Sequence, residues 1–227
     1  MTLVNLIVGS EAAYLIADSG GYHDDGTLIR VGSKITVADH LKAAVTMSGA
    51  ASSDTRAITA SWLASFKQPD EMLAKLPSLL DLLLADVESV PAEQRFVEPR
   101  FVQFYVAHWS DRRGRPEGYI VGSHQGTFGP SYQPRRVCGV DRVIMPSVAT
   151  DLEPSCFDPE TDSLPLVEVQ RITPDERGLF RVGGAAELAE VSRAGVSIRR
   201  ICTWPDKIGE KVNPLGDRVK PVEGRNG

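Results

Sequence analysis

The sequence predicts an α+β fold, and more narrowly a four-layer αββα sandwich in which two antiparallel sheets pack face to face between helical layers. Two observations lead to this prediction. Four strand-like stretches precede any helical stretch, and two consecutive helical stretches then separate them from a later group of strands. Other α+β folds fit the same order of elements, so residues with chemical roles have to decide between them.

Size and charge exclude several classes of protein. The chain has 227 residues, of which 42% are hydrophobic and 24% charged, enough for one domain with a deep core. We expect this domain over residues 1–210 and a polar tail over residues 211–227. A net charge of -5 offers no overall basic field for nucleic acid or an anionic membrane surface. No apolar run approaches the roughly 20 residues of a membrane helix.

Targeting, thiol and metal signals are weak. The first eight residues have neither a basic region nor a small-residue cleavage site, so we expect a cytoplasmic protein. Cys138, Cys156 and Cys202 form an odd set without Cys-x-x-Cys spacing, which indicates reduced structural thiols. The acidic stretches 23–25 and 158–162 lack a recognised ligand spacing and are interpreted as solvated loops. We therefore expect no metal and no cofactor.

The first half of the chain begins with strands. Apolar residues 2–8 and 14–17, split by Gly9-Ser10-Glu11, predict an antiparallel pair. Residues 19–26 form a polar, glycine-rich patch. Two more strands are predicted over residues 27–37 and 42–47.

Helices follow a turn and helix cap at residues 48–54. Residues 55–66 carry apolar side chains at helical spacing. A second helix is predicted over residues 70–87, kinked or restarted at Pro77, and its leucines require one buried face.

The second half of the chain returns to strands. A β-hairpin is predicted around the polar turn 111–116, and a last hairpin after Gly183-Gly184. The predicted strands are residues 101–109, 118–121, 136–145, 187–191 and 196–202, and a short helix is predicted over residues 162–172.

Isolated histidines and tryptophans are assigned from their surroundings. His40, His108 and His124 have no partner at nearby spacing and are expected at the surface or as caps. Trp62 and Trp109 lie in apolar patterns and are expected in the core.

Three residues near the N-terminus stand at a distinctive spacing. Thr2 opens the first strand, Asp18 follows it by 16 residues at the end of the second, and Lys34 follows it by 32. This spacing resembles that of the catalytic threonine, aspartate and lysine of proteasome β-subunits and their bacterial HslV-type relatives. Ser48-Gly49-Ala50 adds a match, because that family ends its fourth strand with a glycine. The resemblance covers about residues 2–55 and implies a proteasome-like N-terminal-nucleophile fold.

The chemistry of these residues agrees with such a role. A threonine hydroxyl needs a base, and an α-amino group with a reference pKa of about 7.7–8.0 can be that base if Thr2 begins the chain. Threonine is small enough for Met1 removal to be expected. Lys34 would favour the alkoxide and depress the pKa of the amine, and Asp18 would form an ion pair with that lysine. The Gly49 N–H is a candidate donor to an oxyanion.

The resemblance implies a threonine-nucleophile amidohydrolase, a peptidase acting on peptides or other amides, that assembles as a ring-forming homo-oligomer. One departure favours a catalytically silent assembly or binding module. The family places an aspartate and a serine ahead of a glycine that matches Gly183-Gly184, where this chain has Leu179 and Val182. Another serine of the family has only Ser147 and Ser155 as candidates. A third interpretation is an unrelated α+β domain in which Asp18 is a turn residue and Lys34 a solvated lysine.

Overall fold

The computed structural model describes residues 3–49, 55–89, 101–124, 130–137 and 141–216. Several predictions concern residues outside these ranges: the nucleophile Thr2, the thiol of Cys138 and most of the turn and cap at residues 48–54. The described residues form twelve strands and three α-helices.

The first sheet has five antiparallel strands in the order β10-β1-β2-β11-β12. Its central strands are buried on both faces, because their mostly apolar side chains contact a second sheet on one side and a helix on the other. The strands are β1 Val4–Val8, β2 Ala12–Asp18, β10 Arg142–Met145, β11 Ala185–Ser192 and β12 Gly195–Thr203.

The second sheet also has five antiparallel strands, in the order β5-β6-β7-β8-β9. A third sheet consists of the short hairpin β3-β4. The strands are β3 Gly20–Tyr22, β4 Leu28–Val31, β5 Thr36–Ala38, β6 Ala43–Gly49, β7 Val102–Ser110, β8 Arg115–Gly122 and β9 Arg135–Val137.

The helices are α1 Thr55–Ala64, α2 Pro69–Ser89 and α3 Ser163–Arg171. α2 runs without interruption through Pro77 and packs its buried leucines against Val45, Val106 and Val121 of the second sheet. These leucines are Leu73, Leu76, Leu79, Leu80 and Leu83. No helix among the described residues is long and apolar enough to cross a membrane.

Strand alternation distributes side chains between two cores. Leu6 and Leu15 of the first sheet pack against Tyr105 and other residues of the second. Ile7 faces the opposite way, toward Leu166 of α3. The first sheet therefore lies between α3 and the second sheet.

The predicted four-layer αββα sandwich of two sheets is wrong. The described residues form three antiparallel sheets accompanied by only three α-helices. The additional sheet arises because part of the glycine-rich patch, interpreted as a loop, pairs as β3 with β4. Among the described α-helices, only α3, with nine residues, packs on the first sheet.

Individual elements agree more closely with the sequence. All three helices and the first and last hairpins are confirmed within a few residues. Two long strand predictions are wrong: residues 27–37 divide into β4 and β5, and residues 136–145 divide into β9 and β10 of different sheets. The first division comes after Gly32, whose N–H still donates to the Ser19 carbonyl beside β3, before the chain passes to the second sheet as β5.

The C-terminal boundary of the domain stays a prediction. Within the stretch expected to be a tail, Lys211 pairs with Thr27 and Val212 packs on Tyr22 and Leu28 of the third sheet.

His108 lies inside the second sheet rather than at the surface, where we expected it. Its side chain on β7 is between Ala43 and Glu117 of the neighbouring strands, and the residue is 1% exposed. Neither ring nitrogen has a hydrogen-bond partner among the described residues. Burial lowers the pKa of His108; the Glu117 carboxylate opposes this shift and the Arg113 guanidinium adds to it. Trp62 and Trp109 are buried, as predicted.

We expect acidification to destabilise the protein through His108. Its folded pKa lies below the unfolded value, so the stabilisation is complete above the unfolded reference pKa of about 6.5 and is lost progressively as pH falls from there through the folded pKa. His108→Leu removes the titrating group and two unsatisfied polar atoms. Urea unfolding at about pH 7.5 and about pH 5.5, on either side of that reference value, should show a smaller loss for His108→Leu than for the wild type. Equal losses would contradict this assignment.

Candidate functional site

The carboxylate of Asp18 is the centre of a buried polar cluster at the end of β2. Its side chain is 0% exposed. Oδ1 accepts hydrogen bonds from the Leu3 N–H at 3.0 Å and from Lys34 Nζ at 2.6 Å. The predicted Asp18–Lys34 pair is therefore present, and it is joined to the backbone of the residue that follows Thr2 in the sequence.

The second oxygen of Asp18 accepts from three further donors. They are the N–H of Gly20 at 3.1 Å, the hydroxyl of Tyr22 at 2.8 Å and the N–H of Gly183 at 3.4 Å. Five donors thus surround one carboxylate. A buried carboxylate is tolerated when it is paired and its lone pairs are used, and this arrangement meets both conditions.

Lys34 lies in the segment between β4 of the third sheet and β5 of the second. Its side chain is 17% exposed, so it is not the solvated strand lysine of the third interpretation. Its carbonyl accepts from the Thr46 hydroxyl on β6 at 3.0 Å. Burial lowers the pKa of Lys34, and the Asp18 carboxylate opposes that shift. The ammonium is thus costly to bury without Asp18.

Tyr22 belongs to this cluster and was missed by the sequence analysis. A Cβ at Gly20 would lie 2.0 Å from the Tyr22 hydroxyl oxygen, so glycine leaves the space that the phenol occupies. Burial raises the pKa of Tyr22 far above its ordinary value, and the Asp18 carboxylate raises it further. The hydroxyl therefore stays protonated and donates. The sequence signal that could have indicated this role is the pair Gly20-Gly21 directly before Tyr22.

A second buried ion pair supports the turn at Gly183-Gly184. Arg171, the last residue of α3, donates to Asp206 at 2.9 and 2.6 Å and to the Val182 carbonyl at 2.7 Å. Asp206 in turn accepts from the Gly184 N–H at 2.8 Å. The guanidinium also lies 4.7 Å from the centre of the Trp204 ring. Because the Gly183 N–H contacts Asp18, this second pair holds one wall of the first cluster.

Leu179 and Val182 contribute no polar side chain near this turn. Val182 is buried in the apolar cluster around α3, and Leu179 lies against Gly26. The acidic side chain at the turn comes instead from Asp206, which lies after β12.

Gly49 occupies a position that only glycine fits. Its φ is +108°, and a Cβ there would lie 1.8 Å from the Phe101 carbonyl oxygen. It lies three residues beyond Thr46 on β6, about 10 Å along the strand. Thr46 contacts the Lys34 carbonyl, so β6 connects Gly49 to the cluster through its backbone. Thr2 lies outside the described residues.

Of the comparisons with known proteins, the one with solved structures shows the fold. No family model matches the chain, and no curated protein matches its sequence. Among solved structures, Anbu (ancestral beta-subunit) from Yersinia bercovieri gives a TM-score of 0.59 at 9% identity, covering 88% of this chain and 87% of that one. A mutant of Anbu from Hyphomicrobium sp. strain MC1 gives a TM-score of 0.60 at 9% identity, covering 89% of this chain and 87% of that one. The chain shares the fold of Anbu.

This Anbu-like fold is proteasome-like, but the family assignment made from the sequence is wrong. The structural similarity shown is to Anbu, whereas residues 2–55 were compared with proteasome β-subunits and HslV-type proteins, and an identity of 9% carries the fold alone. The roles of Thr2, Asp18, Lys34 and Gly49 therefore have to rest on geometry and chemistry.

Other candidate groups lie apart from the cluster. Ser147 and Ser155 are exposed. Cys156 is exposed and Cys202 is half-buried. Within the described ranges, no group of His, Cys, Asp and Glu side chains is placed to hold a metal ion.

We expect Asp18→Ala to lower the free energy of unfolding by about 3–5 kcal/mol, because the buried Lys34 ammonium loses its carboxylate. The double variant Asp18→Asn/Lys34→Met should recover part of this loss, since neither charge remains. Urea unfolding measures both.

The matched control is Lys42→Met, which breaks a 2.8 Å ion pair with Asp111 whose side chains are 31% and 69% exposed. This exposed pair should leave the melting temperature nearly unchanged. Equal effects at the two pairs would contradict the importance of the Asp18 cluster.

Proposed function

We propose that this chain is an amide hydrolase, with peptides as its main substrates, that uses Thr2 as an N-terminal nucleophile after removal of Met1. One observation carries the proposal. The Asp18 carboxylate, which is ion-paired with Lys34, accepts a hydrogen bond from the N–H of Leu3, the residue bonded to Thr2. The proteasome-like fold shared with Anbu supports the proposal by analogy only.

The first half of the reaction forms an ester. The free α-amine of Thr2 removes the proton from its own hydroxyl, and the oxygen attacks the amide carbonyl carbon. A positive Lys34 stabilises the negative charge as it develops, and the Gly49 N–H donates to the carbonyl oxygen as it becomes an oxyanion. The carbon–nitrogen bond then breaks. The proton held by the Thr2 amine passes to the departing amine.

The second half releases the acid. Water loses a proton to the same α-amine while its oxygen attacks the ester carbonyl, and the ester bond to Thr2 breaks. The hydroxyl of Thr2 regains a proton, and a carboxylic acid departs. Each proton taken by the amine is returned, so the enzyme is regenerated without a cofactor.

The neighbouring groups act on Lys34. Asp18 keeps the ammonium charged in spite of its burial, and Tyr22 and the N–H groups of Gly20 and Gly183 orient the carboxylate. These are positioning residues, because each acts through another side chain. Holding Lys34 in one place lets its charge act without reorganisation when the oxyanion forms.

A catalytically silent assembly or binding module is the second candidate. It is favoured by Leu179 and Val182, whose apolar side chains cannot hold the threonine amine. In this case the Asp18 cluster would be a structural support of the fold, and Thr2 would be an ordinary strand residue. The cytoplasmic location expected from the sequence stays a prediction under both candidates.

We further propose that the chain forms homo-oligomers, which agrees with the name of β-subunit borne by its structural neighbour. The leucines of α2 give little support to assembly, because most of them are buried within the chain. Leu82, which is 49% exposed, is the exception. Light scattering should give a mass several times that of one chain. A single-chain mass throughout the micromolar range would contradict assembly, and it would leave the fold untouched.

For the nucleophile, we expect an epoxyketone inhibitor to form a covalent adduct on Thr2, because this warhead reacts with a hydroxyl and a free amine of one residue. N-terminal sequencing should first show Thr2 as residue one. Thr2→Ala should abolish labelling and reduce peptide hydrolysis to background, while changing the free energy of unfolding by less than about 1 kcal/mol. Intact and peptide mass spectrometry locate the adduct.

Thr161→Ala is the matched control, since this exposed threonine lies outside the cluster and its loss should leave labelling unchanged. Protein with a free Thr2 that neither labels nor cleaves a broad peptide library would exclude the hydrolase. The silent module would then be the better description.

A further inference from the structure

A groove lies beside α3, outside the Asp18 cluster. Its volume is about 470 Å³, within the range of roughly 300–1,000 Å³ that ligand pockets in proteins occupy. One wall is residues 148–153 together with Cys156, and the other is the outer face of α3. None of the residues that contact Asp18 lines it.

The outer face of α3 is apolar where it meets the groove. Pro165 and Val169 line the groove, and Ile172 follows them at helical spacing on the same face. Val169 is 45% exposed, and Ile172 and Leu164 are exposed as well. Leu166, also in the lining, faces inward into the core. An apolar floor thus continues into an apolar stripe that no described element covers.

The rim of the groove is acidic. Asp151, Glu153 and Asp162 line it. Asp162 accepts hydrogen bonds from the Asp158 N–H and the Thr161 hydroxyl, and Glu153 accepts one from the Cys156 thiol, but none of the three acids is ion-paired with a described residue. Residues 146–170 as a whole contain six aspartates and glutamates and no lysine, arginine or histidine. Three described arginines contact or follow this stretch: Arg142 donates to the Thr150 carbonyl, Arg199 is paired with Glu160, and Arg171 at the end of α3 is paired with Asp206. The local field at the groove is therefore negative.

We propose that this groove binds a peptide segment of a partner in which apolar side chains alternate with lysine or arginine. The apolar floor would receive the aliphatic side chains, and the rim carboxylates, which are ion-paired with no described residue, would face the cations. Charge decides between possible occupants: an acidic peptide or an anionic lipid would be repelled by the rim, and a wholly apolar segment would bring no positive charge to the carboxylates.

Binding is tested with a fluorescein-labelled peptide Lys-Leu-Val-Lys-Leu-Arg and fluorescence anisotropy. The wild type should bind it, and Asp151→Asn/Glu153→Gln should raise Kd at least tenfold. Val169→Ser should also weaken binding. Raising NaCl from about 0.05 M to about 0.5 M should weaken it further, because the rim charges are exposed and screened by salt.

The matched control, Glu71→Gln/Glu210→Gln, neutralises two exposed carboxylates outside the groove lining and should bind as the wild type does. The reactivity of Cys156 shows whether the peptide binds in the groove. Bound peptide should slow the reaction of Cys156 with an uncharged maleimide, and it should leave the reaction rate of Cys202 unchanged. Two results would overturn the proposal: equal affinity of the Asp151→Asn/Glu153→Gln variant and the control, or equal affinity for a peptide with glutamates in place of its basic residues. A change of oligomer mass in that variant would instead assign the groove to a second copy of this chain.

Discussion

Much of the structure around the N-terminus depends on a single desolvated carboxylate. Asp18 is wholly buried, and its five donors come from the start of β1, the third sheet, the segment before β5 and the turn before β11. A carboxylate in such surroundings is tolerable only while most of these donors are present. The constraint therefore acts on backbone and side chains alike. The third sheet is connected to the first sheet through this carboxylate.

Glycines provide the space that this constraint requires. A side chain at Gly20 would collide with the Tyr22 hydroxyl, and one at Gly183 would lie 2.5 Å from an Asp206 oxygen. Both glycines also present N–H groups to Asp18. The same residues thus remove an obstacle and supply a donor. The Arg171–Asp206 pair extends the polar network to α3. The helix is therefore connected to the buried carboxylate through the Gly183-Gly184 turn.

The parts of the site that the sequence could predict were those carried by a spacing that resembles a known family. Asp18 and Lys34 follow Thr2 by 16 and 32 residues, and this pattern lies within the first 34 residues of the chain. The contribution of Gly183 could not be predicted in this way, because it lies 165 residues from Asp18. The position of His108 was predicted wrongly because polar residues in strands usually face solvent. Strand β7 is instead buried on both faces, by α2 on one side and by the first sheet on the other. The number of sheets was misjudged because β3 has only three residues, two of them glycines.

The wide sequence separation of the donors around Asp18 also bears on how the chain folds. During synthesis, β1 and β2 emerge early, but the Gly183 donor and β11, which pairs with β2, are made only near the end. Until then the carboxylate and its lysine lack one wall and remain hydrated. Contacts of this range close slowly, because ordering the long intervening chain must precede the gain from the contact. The N-terminal hairpin is thus among the first segments made and among the last to reach its final surroundings.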